Sequence, residues 1–150
     1  MKLPYTEGSV FLVPLRSGRF ARGVVARATP RGRVIYGYFF GPPLPSTKNV
    51  PLDDLSPKKA LLQLRFGDLG LISGDWRVCG KVPLWDRAEW AMPGFVRRNP
   101  LTAHALLVRY SDGDPNKIDT AEPCQAGCEL PTDSLSGYRA VEIKLSQILK

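Results

Sequence analysis

The chain has 150 residues, 43% hydrophobic and 23% charged, with a formal net charge of +7; these values exclude a disordered tail, a collagen-like fibre and a disulfide scaffold, and suit a single domain over residues 1–150. Its 14 glycines and 14 prolines are so scattered that only Leu101 to Asp112 and Tyr138 to Lys150 run more than nine positions without either, which rules out an all-α bundle. No apolar run approaches the roughly 20 residues needed to cross a bilayer, and the opening Met1-Lys2-Leu3-Pro4-Tyr5-Thr6-Glu7-Gly8 has no apolar signal segment, so the expectation is a cytoplasmic protein without membrane contact.

Ser9 to Pro14 is β-branched and aromatic, and Ser17-Gly18 turns it into a second strand, Phe20 to Ala28. Thr29-Pro30-Arg31-Gly32 makes the next turn, into Val34 to Phe40, the strongest strand by propensity. Gly23 and Gly37 lie inside these strands and suggest bulges or a strongly curved sheet. Gly41-Pro42-Pro43-Leu44-Pro45 reads as a stiff connection that ends the strand. Alternation of Ala60, Leu62, Leu64 and Phe66 with Leu61, Gln63 and Arg65 predicts a strand, Gly67 to Gly74 punctuates, and Trp76 to Val82 is another strand. Leu84 to Met92, with Asp86 near its start, is the best short helix. Ala105 to Tyr110 and Ala140 to Leu145 read as strands, although Val141, Leu145, Ile148 and Leu149 also fit a helical face; Ser111 to Ser136 reads as a long loop. The expected fold is mostly β (α+β), a single small curved sheet or barrel-like β domain with one or two short helices.

Charge is unevenly placed: residues 1–48 carry eight Lys/Arg against Glu7 alone, residues 49–110 nine against six acids, and residues 111–150 four against seven. Arg16, Arg19, Arg22, Arg27, Arg31 and Arg33 could track phosphates or an acidic protein face, or form a solvated strand face that resists aggregation. A single histidine, His104, excludes any histidine pair, and no nucleophile elbow, dinucleotide fingerprint or P-loop is present. Cys79, Cys124 and Cys128 are odd in number and irregularly spaced, which suits reduced thiols; with His104 they would make four zinc ligands only if all converged, and their spacing argues against it. Asp68, Asp75, Asp86 and Glu89 could hold Mg²⁺ for hydrolysis, but interleaved Arg65, Arg77 and Arg87 favour salt bridges. No catalytic residue, metal or cofactor is therefore expected.

All three tryptophans, Trp76, Trp85 and Trp90, fall close together, followed by Phe95, Arg97 and Arg98. Trp76 suits a core role, whereas Trp85, Arg87, Trp90, Phe95, Arg97 and Arg98 form the candidate partner-binding set, because Trp and Arg are enriched at interface hot spots. A different class of reading is a nucleic-acid-binding small β-barrel with exposed Tyr36, Tyr38 and Phe39 among Arg27, Arg31 and Arg33.

Glu7 to Leu15, Tyr36 to Pro42, Arg65-Phe66-Gly67-Asp68-Leu69-Gly70-Leu71-Ile72, Trp85-Asp86-Arg87 and Met92 to Arg98 resemble, in this order, the twenty-sixth family of bacterial polymorphic-toxin immunity proteins. The resemblance implies an intracellular, non-catalytic protein that binds and neutralises the effector domain of a cognate toxin. It supplies no catalytic residues. A basic inhibitor is poorly suited to mimic nucleic acid, so the expected partner surface is acidic, or the contact falls to the acidic carboxyl-terminal third.

Overall fold

The computed structural model describes residues 2–102, 104–124 and 129–150. Five antiparallel strands form the first sheet: β1 (Ser9–Pro14), β2 (Phe20–Ala28), β3 (Val34–Leu44), β4 (Leu62–Gly67) and β5 (Arg77–Lys81), in the spatial order β4-β3-β2-β1-β5. A second sheet contains β6 (Phe95–Arg98), β7 (Ala105–Ser111) and β8 (Asp114–Cys124) in that order. Two helices complete the fold, α1 (Leu69–Ser73) and α2 (Tyr138–Ile148). The mostly β expectation holds, but the strands divide between two sheets that do not close into a barrel. β4 and β5 are the outer strands of the first sheet, and its apolar faces are covered by other layers rather than by closure on itself.

Both faces of this sheet are covered, so β2 is buried at nearly every position, as is β3 from Val34 to Phe40, where a half-solvated strand would be buried only at alternate ones. Phe11, Val25, Ile35, Phe39 and Phe66 point to one face and pack with Trp76 and with Val141 and Leu145 of α2. Val10, Val24, Tyr36, Tyr38 and Phe40 point to the other and pack with Trp90, Phe95, Val108 and Tyr110. Gly23 and Gly37 serve as ring seats: a Cβ on Gly23 would collide with the Phe11 ring, and one on Gly37 would lie 2.7 Å from that of Phe66. The register irregularities of β2 against β3 fall between Phe20 and Arg22 and between Val25 and Arg27, away from Gly23 itself. Gly23→Ala should therefore destabilise the chain by about 1–3 kcal/mol, the usual cost of overpacking a core, and thermal denaturation would measure it.

Several local expectations are corrected. β3 runs on through Pro42 and Pro43; its pairing with β4 ends at Phe39, so the missing proline N–H groups are not needed on that side. The stretch Gly67 to Gly74 contains α1, closed by Gly74 in the left-handed conformation. Leu84 to Met92 is not a helix: Leu84 adopts φ 54°, and only the 3-10 turn Arg87–Glu89 forms, with Asp86 Oδ1 accepting from the Ala88 N–H at 3.1 Å. Val141 and Leu145 are buried at i and i+4 on α2 while Ile143 is exposed, so the helical period prevails over the strand reading of Ala140 to Leu145. The expected loop Ser111 to Ser136 holds β8, a polar and largely exposed edge strand. Among the described residues, no helix is long and apolar enough to cross a membrane.

Candidate functional site

The structure divides the six candidate contact residues. Trp90 is only 2% exposed; its ring meets those of Tyr38 at 5.1 Å, Phe40 at 5.9 Å and Trp85 at 5.5 Å. Phe95 is equally buried, edge-on to Tyr36 and Tyr110. Both are core residues of the second layer and not exposed contacts, because Tyr36, Tyr38 and Phe40 of β3 present an aromatic face that they cover. Trp85, Arg87, Arg97 and Arg98 keep access to solvent.

Trp85 lies half-buried over the backbone of Gly8, where a Cβ would approach its ring to 2.8 Å. Beside it Leu84 is 100% exposed on a left-handed backbone, a conformation costly for a branched side chain. Arg87 is clamped: its Nε and Nη2 donate to Glu7 at 2.8 and 3.2 Å, and its Nη1 donates to Asp112 Oδ2 at 2.6 Å. Arg27, buried in β2, donates to Asp112 Oδ1 at 2.8 Å and to the carbonyls of Trp90 and Arg87. Asp112 thus ties the turn between β7 and β8 to the first sheet.

The hydrogen bond from Arg27, and then that from Arg87, hold the Asp112 carboxyl below the usual carboxylate range against the opposing effect of burial; Arg22 does the same for Asp54. A depressed carboxyl contributes stability at pH values above its unfolded pKa of about 3.9, and that contribution is lost as the pH falls through the lower folded value. Asp112→Asn should therefore lower stability modestly at neutral pH and flatten the loss below about pH 4, as urea titrations at stepped pH would show.

Arg97 and Arg98 sit at the far end of the second sheet, opposite Leu106 and Ala105. From Leu106 to Asp112 is about 20 Å of extended chain, so the Trp85–Arg87 cluster and the Arg97–Arg98 pair are separate patches. Arg97 donates to Asp133 Oδ2 from Nε at 2.9 Å. With Arg98, Leu101, His104 and Leu106 it lines a cleft of about 540 Å³ in which Leu101 is almost wholly exposed.

Arg22 and Arg27 leave the expected basic stripe for the interior: Arg22 makes a bidentate pair with Asp54 and donates to the Pro51 and Gly41 carbonyls. Tyr36, Tyr38 and Phe39 are all buried, so these three rings do not form the exposed platform expected for single-strand binding. Of the acids considered for a metal-dependent hydrolase, Glu89 is exposed on its 3-10 turn and the other three are otherwise engaged. Asp68 accepts from the Tyr5 hydroxyl and the Arg33 amide, Asp75 from Arg139, and Asp86 caps its turn. Among the described residues no three His, Cys, Asp or Glu side chains converge on a metal position; Cys79 and His104 belong to different sheets or their flanks, and Cys128 lies outside the described residues.

The sequence reading missed Leu84 and a groove lined by Leu69, Ile72 and Leu135. A leucine directly after Pro83 in a segment rich in charge was the available signal for the first; the second is assembled from distant parts of the chain and left none.

No curated protein and no solved structure matches this chain. The model of the family described as Immunity protein 26 matches residues 6–105, two thirds of the length, from the loop before β1 to the first residue of β7; the chain belongs to that family.

Proposed function

We propose that this protein binds the effector domain of a cognate bacterial toxin and blocks it sterically, turning over no substrate of its own. Family membership supports the toxin as partner. The observation that carries a surface mechanism is Leu84: a fully exposed leucine on a strained backbone, beside a half-exposed tryptophan, is useless to the fold and well suited to anchor an interface. Trp85 and Arg87 extend that anchor, and Arg97 and Arg98 form a second contact patch. Trp90 and Phe95 support the two patches from beneath.

Leu84→Gly separates binding from folding. Relief of the left-handed strain should stabilise the free protein by about 1 kcal/mol, raising the melting midpoint by roughly 2–4 °C. Loss of the anchor should at the same time weaken the toxin complex by about 2 kcal/mol. Differential scanning calorimetry and titration calorimetry against the purified effector domain of the cognate toxin would measure the two, with growth protection on co-expression as the cellular readout. Unchanged affinity in Leu84→Gly and in Leu84→Asp would remove this anchor from the interface. Failure of the unaltered protein to bind or protect would overturn the function itself.

A further inference from the structure

We infer that the groove between the β2–β3 turn and α1 docks an acidic segment of the toxin that carries one bulky apolar side chain. This deepens the toxin-binding reading and rests on it. The groove encloses about 650 Å³ and is bounded by Leu3, Leu69, Ile72 and Leu135, with Arg31 and Arg33 at its rim.

Its apolar walls are not a by-product of one amphipathic element. Leu69 and Ile72 come from α1, whose Gly70 and Leu71 face the core, while Leu135 arrives from the segment before α2; they are 65%, 39% and 53% exposed. Three of the large apolar side chains left in water thus converge on one concavity, the arrangement that marks an interaction site more than scattered exposure does.

The charge of the rim indicates what fills it. Arg22, Arg27, Arg65, Arg87, Arg97 and Arg139 all have carboxylate partners within the chain. Arg31 and Arg33, like Arg16, Arg19, Arg77 and Arg109 elsewhere on the surface, are exposed and make no ion pair among the described residues, and they are the two that line this groove. Their backbone is pinned by hydrogen bonds. The buried Asp68 carboxylate accepts the Arg33 N–H at 2.9 Å and the Tyr5 hydroxyl at 2.7 Å, and it fixes Arg33 at φ 128°, a conformation non-glycine residues rarely adopt. Two guanidinium groups on a pre-ordered turn above an aliphatic groove complement carboxylates flanking an apolar side chain, and little ordering is needed to receive them. Nucleic acid fits less well: the walls are aliphatic and offer no ring on which a base could stack.

The test is a titration of the full chain, labelled at Leu and Ile methyl groups, with a capped hexapeptide of one leucine flanked by aspartate and glutamate. Methyl resonances of Leu69, Ile72 and Leu135 should shift together, with saturation by about 5 mM peptide. The same peptide with amides in place of its acids should bind at least about tenfold more weakly, as should Arg31→Glu/Arg33→Glu protein with the acidic peptide. Silence of these methyls at about 5 mM, or equal response to the amide peptide, would overturn the inference. So would stronger saturation of the groove by a thymidine oligonucleotide than by the acidic peptide. Because the titration uses no toxin, a silent groove in a chain that still neutralises its toxin removes this surface alone and leaves the proposed function standing.

Discussion

Asp133→Ala is expected to cost about 3–5 kcal/mol, because it would leave the buried guanidinium of Arg65 without its counter-charge. The Asp133 side chain is 4% exposed and gathers three donors: the Tyr110 hydroxyl at 2.6 Å, Arg65 Nη1 at 3.3 Å, and Arg97, whose Nη2 lies 2.7 Å away. Arg65 emerges from β4 in the first sheet, its guanidinium 3.8 Å from the centre of the Tyr110 ring, while Tyr110 and Arg97 belong to the second. Burial pushes the Arg65 pKa down, and the neighbouring Tyr110 and Asp133 oppose that shift. The chain around Asp133 also bridges the layers through its backbone, with Thr132 beside Val96 of β6 and Ser136 beside Phe66 of β4. Domains of this size are stable by about 5–15 kcal/mol, so the loss would be a large share of the total. Chemical denaturation should show a lower midpoint with an unchanged slope. Arg97→Ala, at an exposed position, should cost about 1 kcal/mol or less. A similar small loss for Asp133→Ala would mean that the Arg65–Asp133 contact does not hold the layers together.

Trp90→Ala should be nearly as severe, about 3–5 kcal/mol, since it empties the space between Tyr38, Phe40 and Trp85. At roughly 2–4 °C per kcal/mol, the melting midpoint should fall by about 6–20 °C. The Trp90 carbonyl also accepts from Arg27 at 3.0 Å, so a collapse there would loosen the Asp112 clip. Trp85→Ala should cost clearly less, because part of its ring already meets water. Equal melting midpoints for Trp90→Ala and the unaltered chain would return Trp90 to the surface, where its sequence neighbours had suggested it.

Most of the first sheet was legible because its turn and period signals agreed with the tertiary outcome, although Pro42 and Pro43 did not end β3. Ser17-Gly18 and Thr29 to Gly32 turn the chain where expected, and Leu62 to Phe66 keeps its alternation. The second layer was foreshadowed by an undervalued feature: Val34 to Phe40 is apolar on both faces, which a single half-solvated sheet does not require. That continuous run also explains Trp90 and Phe95, since some element had to cover Tyr36, Tyr38 and Phe40. β8 could not be read locally. Lys117, Asp119 and Glu122 keep it soluble as an edge, and only its pairing with β7 makes it a strand. The arginines were equally opaque, because Arg22 and Arg31 look alike until the chain brings Asp54 to one and leaves the other at a groove.

Strand β1 is flanked by β2 on one side and by β5 on the other, with Ser9 opposite Lys81. During synthesis the hairpin of β1 and β2 can close early, but the outer edge of β1 stays unpaired until β5, through Lys81, has left the ribosome. Nascent chains stalled before that point should bind chaperones that recognise open, apolar strand edges more strongly than those stalled just beyond it.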